Sequence, residues 1–244
     1  MKIAVVTSLN KKLYDYYGHK FYETYNWDFD LFTYTEDADW IAPKGKTVNL
    51  FKNVPECKEF VERNKDKPVE SFLYDGVRFC YKVYGYTDLI LNRTDYDGVI
   101  YIDADSVFYK PIDHEWVSSN IHKDECMMAY LGRIRKYSEC GFLYFNMNHE
   151  QTKSWARRLQ DMYSNDEIYQ LREWHDSYVV DQVRIEFEKK HGVKNHNIGF
   201  TKKNFKGKGS GHVQAWSVLG SIYDHCKGKR KDNLRSPENK YLVT

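Results

Sequence analysis

The stretch Asp97-Gly-Val-Ile-Tyr-Ile-Asp103-Ala-Asp105-Ser-Val-Phe-Tyr-Lys-Pro111 decides how this chain is read. Val99 to Ile102 is a short apolar run rich in β-branched residues, which suits a strand buried on both faces. Asp103 and Asp105 stand where that strand gives out. With one residue between them on extended backbone, the two carboxylates point the same way. Oxygens so placed suit a hard divalent cation such as Mg²⁺ or Mn²⁺. The plainer alternative is a strand followed by an Asp-rich turn.

Upstream, Ile3 to Thr7 reads as a buried first strand, and polar Ser8 to Lys12 is where an α/β chain turns over the C-terminal edge of its sheet. Tyr14, Tyr17, Phe21 and Tyr25 recur at helical spacing and predict a helix over 13–25. A second strand is expected over 27–34, a short one near 47–51 and a helix over 56–64. From Ser71 a long helix is expected to about Leu91. On it Asp75, Arg78 and Lys82 recur at i, i+3 and i+7. They form either a solvent-facing salt-bridge ladder or a basic stripe on the cleft, where Arg78 and Lys82 meet a nucleotide's phosphates.

Downstream, a short helix is expected over 116–121. Strands follow over 126–131 and 141–146, separated by a polar segment over 132–140, and an amphipathic helix lies over 149–163. Trp174 to Gln182 leads into another helix, with Asp176 as its cap and Gly192 closing it, before a final strand over 193–198. Strands alternate with helices without repeat or low-complexity linker. The pattern predicts an α/β fold, one domain with a mostly parallel central sheet flanked by helices.

Composition adds three constraints. The 21 Tyr, 13 Phe and 6 Trp predict an aromatic core and a Tyr-lined cleft. Five scattered cysteines without a Cys-x-x-Cys pair suggest free thiols rather than a disulfide framework or zinc cluster. No run reaches the roughly 20 apolar residues of a membrane span, and the opening segment is too short for a signal peptide, so a soluble cytoplasmic protein is expected. Charge is unevenly placed. Residues 1–200 hold 27 Lys/Arg against 32 Asp/Glu, whereas residues 201–244 hold 10 against 3. Such a basic end is either a solvated tail or a surface that meets phosphate.

Within that basic end His225, Gly228 and Lys231 stand at His-x-x-Gly-x-x-Lys spacing: an imidazole for a metal, a glycine for close backbone approach, an ammonium for phosphate. One nitrogen among oxygen ligands favours Mn²⁺ over Mg²⁺. His212, preceded by Gly207, Gly209 and Gly211, is a rival third ligand.

The mid-chain Asp-x-Asp, the late His-x-x-Gly-x-x-Lys and the opening strand–turn together resemble the GT-A nucleotide-sugar glycosyltransferases. The likeness is greatest to the retaining group that includes glycogenin and the bacterial lipopolysaccharide galactosyltransferases. Cys140-Gly141-Phe-Leu-Tyr-Phe-Asn146 is similar to that family's strand of a small residue and Gly ending in Asn. The resemblance implies Asp103, Asp105 and His225 as ligands of Mn²⁺ (or Mg²⁺) and Gly228 and Lys231 as diphosphate contacts. Thr7, Ser8 and Leu9, with Arg78, Lys82, Asp103 and Ala104, would contact the donor, which it implies to be a UDP-sugar. Residues 1–200 would form the nucleotide-sugar-binding and catalytic core, and residues 201–244 a basic segment completing the metal and diphosphate site and closing over the donor. After Lys231 the family's Pro-Trp is replaced by Asp232-Asn233.

On the acceptor side, His175, Asp176, Ser177, Asp181 and Gln182 are the polar groups expected to meet a sugar or other hydroxyl acceptor, beside the aromatic Trp174 and Tyr178. No nucleophile for a double displacement stands out. Transfer with retention by front-side attack, near Asp181 or Gln182, is what the resemblance implies. A nucleotidyltransferase would carry a glycine-rich loop after the first strand, and Ser8 to Lys12 has none. The basic end leaves open a nucleic-acid-binding protein, or a glycosyltransferase whose acceptor is a modified base in DNA.

Overall fold

The computed structural model describes residues 1–199 and 212–236. Its strands are β1 (Ile3–Ser8), β2 (Asp30–Thr35), β3 (Lys46–Asn49), β4 (Gly98–Ile102), β5 (Ser106–Phe108), β6 (Cys126–Arg133), β7 (Lys136–Asn146), β8 (Lys194–Asn197) and β9 (Tyr223–His225). Among the described residues the central sheet has seven strands in the order β3-β2-β1-β4-β7-β6-β8. β1 pairs in parallel with β2 and β4, β2 with β3 and β6 with β8, and only β7 runs against its neighbours. The expected α/β architecture with a mostly parallel sheet flanked by helices is the one observed.

Alternation along the strands explains the two-sided core. Ala4, Val6, Val99 and Tyr101 face one cluster, with the helices Pro55–Asn64, Gly76–Asn92, Thr152–Ser164 and Asp176–His191 packed over it. Ile3, Val5, Ile100 and Ile102 face the other, with Tyr17, Phe21, Val117 and Tyr223. A strand covered on both faces must be apolar at every position, as β4 is.

Several expectations needed correction. The long helix starts at Gly76, not Ser71, because Asp75 caps it, accepting a hydrogen bond from the Arg78 N–H at 3.0 Å. Residues 132–140 are not a separate polar connection. β6 and β7 run on as a hairpin through Arg135, whose φ of 59° makes the tight turn. Pairing along that hairpin slips between Tyr130↔Leu143 and Leu131↔Glu139, an irregularity that lies beside Cys140 to Phe142. β8 is not the last strand: β9 follows and pairs antiparallel with β5, Ser106 opposite His225. All five cysteines are buried and free.

Candidate active site

The site lies where β4 ends. Asp103 is held at the strand end by its N–H, which donates to the Gly141 carbonyl of β7 at 3.1 Å. The Cys226 N–H donates to the Asp105 carbonyl at 2.7 Å, so the β5–β9 ladder delivers the neighbouring His225 to the two aspartates. His225 Nε2 stands 3.4 Å from Asp103 Oδ2 and 3.1 Å from Asp105 Oδ1. One ligand atom from each of the three residues lies within 4.8 Å of the others. Two carboxylate oxygens and an imidazole nitrogen at such separations can converge on one divalent ion. His225 is buried, and its Nε2 is turned to the two carboxylates.

Gly141 makes room for that imidazole. A Cβ at this position would fall 2.2 Å from His225 Cε1, so no side chain fits. On the far side of the ring, His225 Nδ1 meets Glu139 Oε1 at 2.8 Å, and Glu139 Oε2 accepts from Lys227 Nζ.

Cations surround the carboxylates. Lys82 Nζ lies 3.0 Å from Asp103 Oδ1 and 2.7 Å from Asp176 Oδ2. Lys231 Nζ lies 3.0 Å from Asp105 Oδ2 and 4.3 Å from the centre of the Tyr17 ring. The Tyr101 hydroxyl donates to Asp103. Burial alone would raise the Asp103 pKa, but Lys82, His225 and Tyr101 outweigh it and hold the carboxyl well below the usual range. For Asp105 burial likewise opposes ionisation, and His225 and Lys231 override it. Lys82 is the mirror case: desolvation favours the neutral amine, and Asp103 and Asp176 keep it charged.

Around this centre runs a cleft of about 600 Å³, within the usual range of ligand sites. Ser8, Leu9, Arg78, Lys82, Asp103, Ala104, Asp105, Gly228 and Lys231 all line it. The stripe reading is thereby divided: Arg78 and Lys82 face the cleft, whereas Asp75 is a cap. Gly228 sits at φ 63°, a left-handed conformation that favours glycine and turns the chain from β9 toward Lys231. Thr7 is fully buried in the sheet and does not reach the cleft wall.

The remaining residues fall elsewhere. His212 is 1% exposed and bonds Ser236 Oγ through Nε2 at 2.8 Å, its ring 6.2 Å from that of His225 and outside the aspartate cluster. The glycines expected before it lie outside the described residues. Asp176 does not cap its helix: His175 holds that position without a side-chain cap bond, while Asp176, in the first turn, faces Lys82. Asp181 does not line the cleft. Its carboxylate accepts from Ser138 N–H and Oγ, both at 2.7 Å, and from Arg184, which ties the helix to β7. Gln182 is half-buried and is not part of the cleft wall.

Sequence reading missed Glu139, Tyr101, Tyr17 and Glu36, the last also lining the cleft. The signal for Glu139 was present: it is a charged residue two positions before a glycine at the start of an apolar strand.

No protein-family model matches the chain, and no curated protein does. The solved structures to which it is similar include two of the glycosyltransferase GlyE of Streptococcus pneumoniae TIGR4, one of them the apo form. Each is 12% identical, at TM-scores of 0.44 and 0.45, covering 80% of this chain and 45% of that one. The chain thus spans less than half the length of the GlyE structures. Mouse xyloside xylosyltransferase 1, apo form, is 10% identical at a TM-score of 0.47, covering 82% of this chain and 86% of that one.

Proposed function

We propose that this chain is a metal-dependent glycosyltransferase that moves a sugar from a nucleotide-diphospho-sugar, a UDP-sugar, to a hydroxyl acceptor with retention. One observation carries the reading: Asp103, Asp105 and His225 bring ligand atoms within 4.8 Å of one another beside a cleft whose wall offers Lys82, Arg78 and Lys231. The site suits Mn²⁺ because its donor set is mixed oxygen and nitrogen and because Gly141 leaves a seat for the imidazole. When bound, such an ion would offset the negative charge that develops on the departing diphosphate.

The chain's own residues supply the rest. Lys231 and Arg78 bring cationic groups to the diphosphate, and Gly228 lets the backbone approach it. Ser8 and Leu9, at the end of β1, lie where the nucleoside would rest. Lys82 is held between Asp103 and Asp176, so it ties the aspartate centre to the helix that carries Asp176, and the buried Asp176 acts through Lys82. Asp181 and Gln182 serve that helix as structure rather than as reacting groups. In this reading residues 1–200 form the core and the basic end completes the diphosphate site. Lys227 and Lys231 face carboxylates inside the fold, which favours a donor phosphate over a DNA backbone as the target of the basic end.

The test is thermal stability with UDP, GDP, CDP and dTDP, each with and without Mn²⁺. A diphosphate at about a hundredfold excess over Kd stabilises the native state by about 2.7 kcal/mol. A metal-dependent shift with one diphosphate, followed by release of that diphosphate from its sugar conjugate when acceptors are supplied, supports the reading. No shift with any of the four overturns it.

A further inference from the structure

The Glu139 carboxylate is 4% exposed, yet each of its oxygens has a defined partner. Oε1 faces His225 Nδ1 at 2.8 Å and Oε2 accepts from Lys227. His225 and Lys227 are two residues apart on the C-terminal segment, so one side chain of the central sheet grips that segment at two points. β7 is irregular here, and Gly141, two residues on, leaves the space that the ring occupies.

An imidazole that binds a metal must be neutral and then carries one N–H, whose place decides which nitrogen can be the ligand. A carboxylate can only accept, so Glu139 selects the tautomer with the proton on Nδ1. In that tautomer Nε2 would carry the lone pair for the ion, and Nε2 is the nitrogen that faces Asp103 and Asp105. The ring is fixed in rotation by the same bond and by the wall at Gly141.

We infer that Glu139 is a positioning residue for the metal centre, which orients His225 and sets its tautomer while anchoring the C-terminal segment through Lys227. The inference rests on the metal reading proposed above. Outer-shell carboxylates of this kind raise ligand basicity and are worth roughly 10–100-fold in metal affinity. Because the effect passes through the nitrogen ligand, it bears more on Mn²⁺ than on Mg²⁺.

The experiment titrates Mn²⁺ and Mg²⁺ separately into wild type, Glu139→Gln, Glu139→Ala and Lys227→Met by calorimetry, with thermal unfolding of each metal-free protein alongside. The expected result is a roughly 10–100-fold loss of Mn²⁺ affinity in both Glu139 variants. Mg²⁺ affinity falls less, and Lys227→Met stays near wild type. Pulsed EPR of bound Mn²⁺ should show nitrogen coupling in wild type that is diminished in Glu139→Ala. If Glu139→Ala fails to fold, the isosteric Gln variant decides alone. Wild type that binds Mn²⁺ while Glu139→Gln matches it within about twofold overturns this inference and leaves the metal reading standing. Equal losses for the two metals also overturn it, since they mark general loosening. Wild type that binds neither metal overturns both.

Discussion

Asp105 and His225 are joined twice: His225 Nε2 stands 3.1 Å from the Asp105 carboxylate, and the N–H of the next residue, Cys226, donates to the Asp105 carbonyl at 2.7 Å. The backbone pairing of β5 with β9 therefore sets the distance between two side chains far apart in the sequence. His225 is not carried on a free tail but on a strand in fixed register.

Asp105→Asn should abolish the metal-dependent part of nucleotide stabilisation. It removes an ionised ligand oxygen and also the partner of Lys231. Differential scanning fluorimetry with UDP and Mn²⁺ should give a wild-type shift and none for the variant. An unchanged shift would put the metal elsewhere.

Gly141→Ala tests the seat of the imidazole. The added Cβ would fall 2.2 Å from His225 Cε1 and 2.5 Å from Nδ1, so the ring must leave its place. Mn²⁺ affinity should drop at least about tenfold, in line with loss of a positioned ligand, while unfolding stays cooperative. Affinity within error of wild type would mean that the ring does not serve the metal.

Lys82→Met strands Asp176, whose side chain is 5% exposed. Removing one partner of a buried pair costs about 3–5 kcal/mol. Lys82→Met/Asp176→Asn should recover much of that loss in urea unfolding. Strict additivity of the two single changes would deny the pair any coupling.

Asp181→Ala should lower stability and leave metal-dependent UDP binding intact. Its carboxylate bonds Ser138 and Arg184 rather than the cleft, and leaving such groups unpaired costs about 1–3 kcal/mol or more. Lost turnover at full stability would return Asp181 to the reacting groups.

His212 supplies a pH dependence. Burial pushes it down to about 4, with Glu139 and Asp224 pulling up and His225 and Lys227 pushing down. The unfolded chain then binds a proton, near its ordinary value of about 6.5, that the folded chain refuses. Stability is therefore whole above about pH 6.5 and falls as the pH drops toward 4, by about 3 kcal/mol from this residue. Unfolding free energies of wild type and His212→Asn from urea titrations, compared from pH 7 to pH 4, should converge by about that amount. Parallel curves would show that His212 is not the group.

The Asp-x-Asp, the His-x-x-Gly-x-x-Lys and the basic stripe at Arg78 and Lys82 were legible because each is a short-range pattern: a strand end, a fixed spacing, one helix face. The α/β fold was legible for the same reason, since periodicity and alternation report local structure and layer order. Asp176 and Asp181 were not separable by sequence. They lie on one helix, five residues apart, and only packing shows that the first meets Lys82 while the second meets Ser138 and Arg184. The spacing favoured His225 over His212, and the β5–β9 register gives the physical reason: it brings His225 beside Asp103 and Asp105 while His212 lies outside that cluster. Glu139 stood in a segment that read as polar connection, and what the sequence could not show is its partners, His225 and Lys227, far along the chain. By itself the sequence determined which chemical groups are present and what local backbone carries them. The tertiary structure alone decided which of them meet, because a hydrogen bond or a shared ion acts only over a few ångströms, and sheet register, not sequence distance, brings groups within that reach.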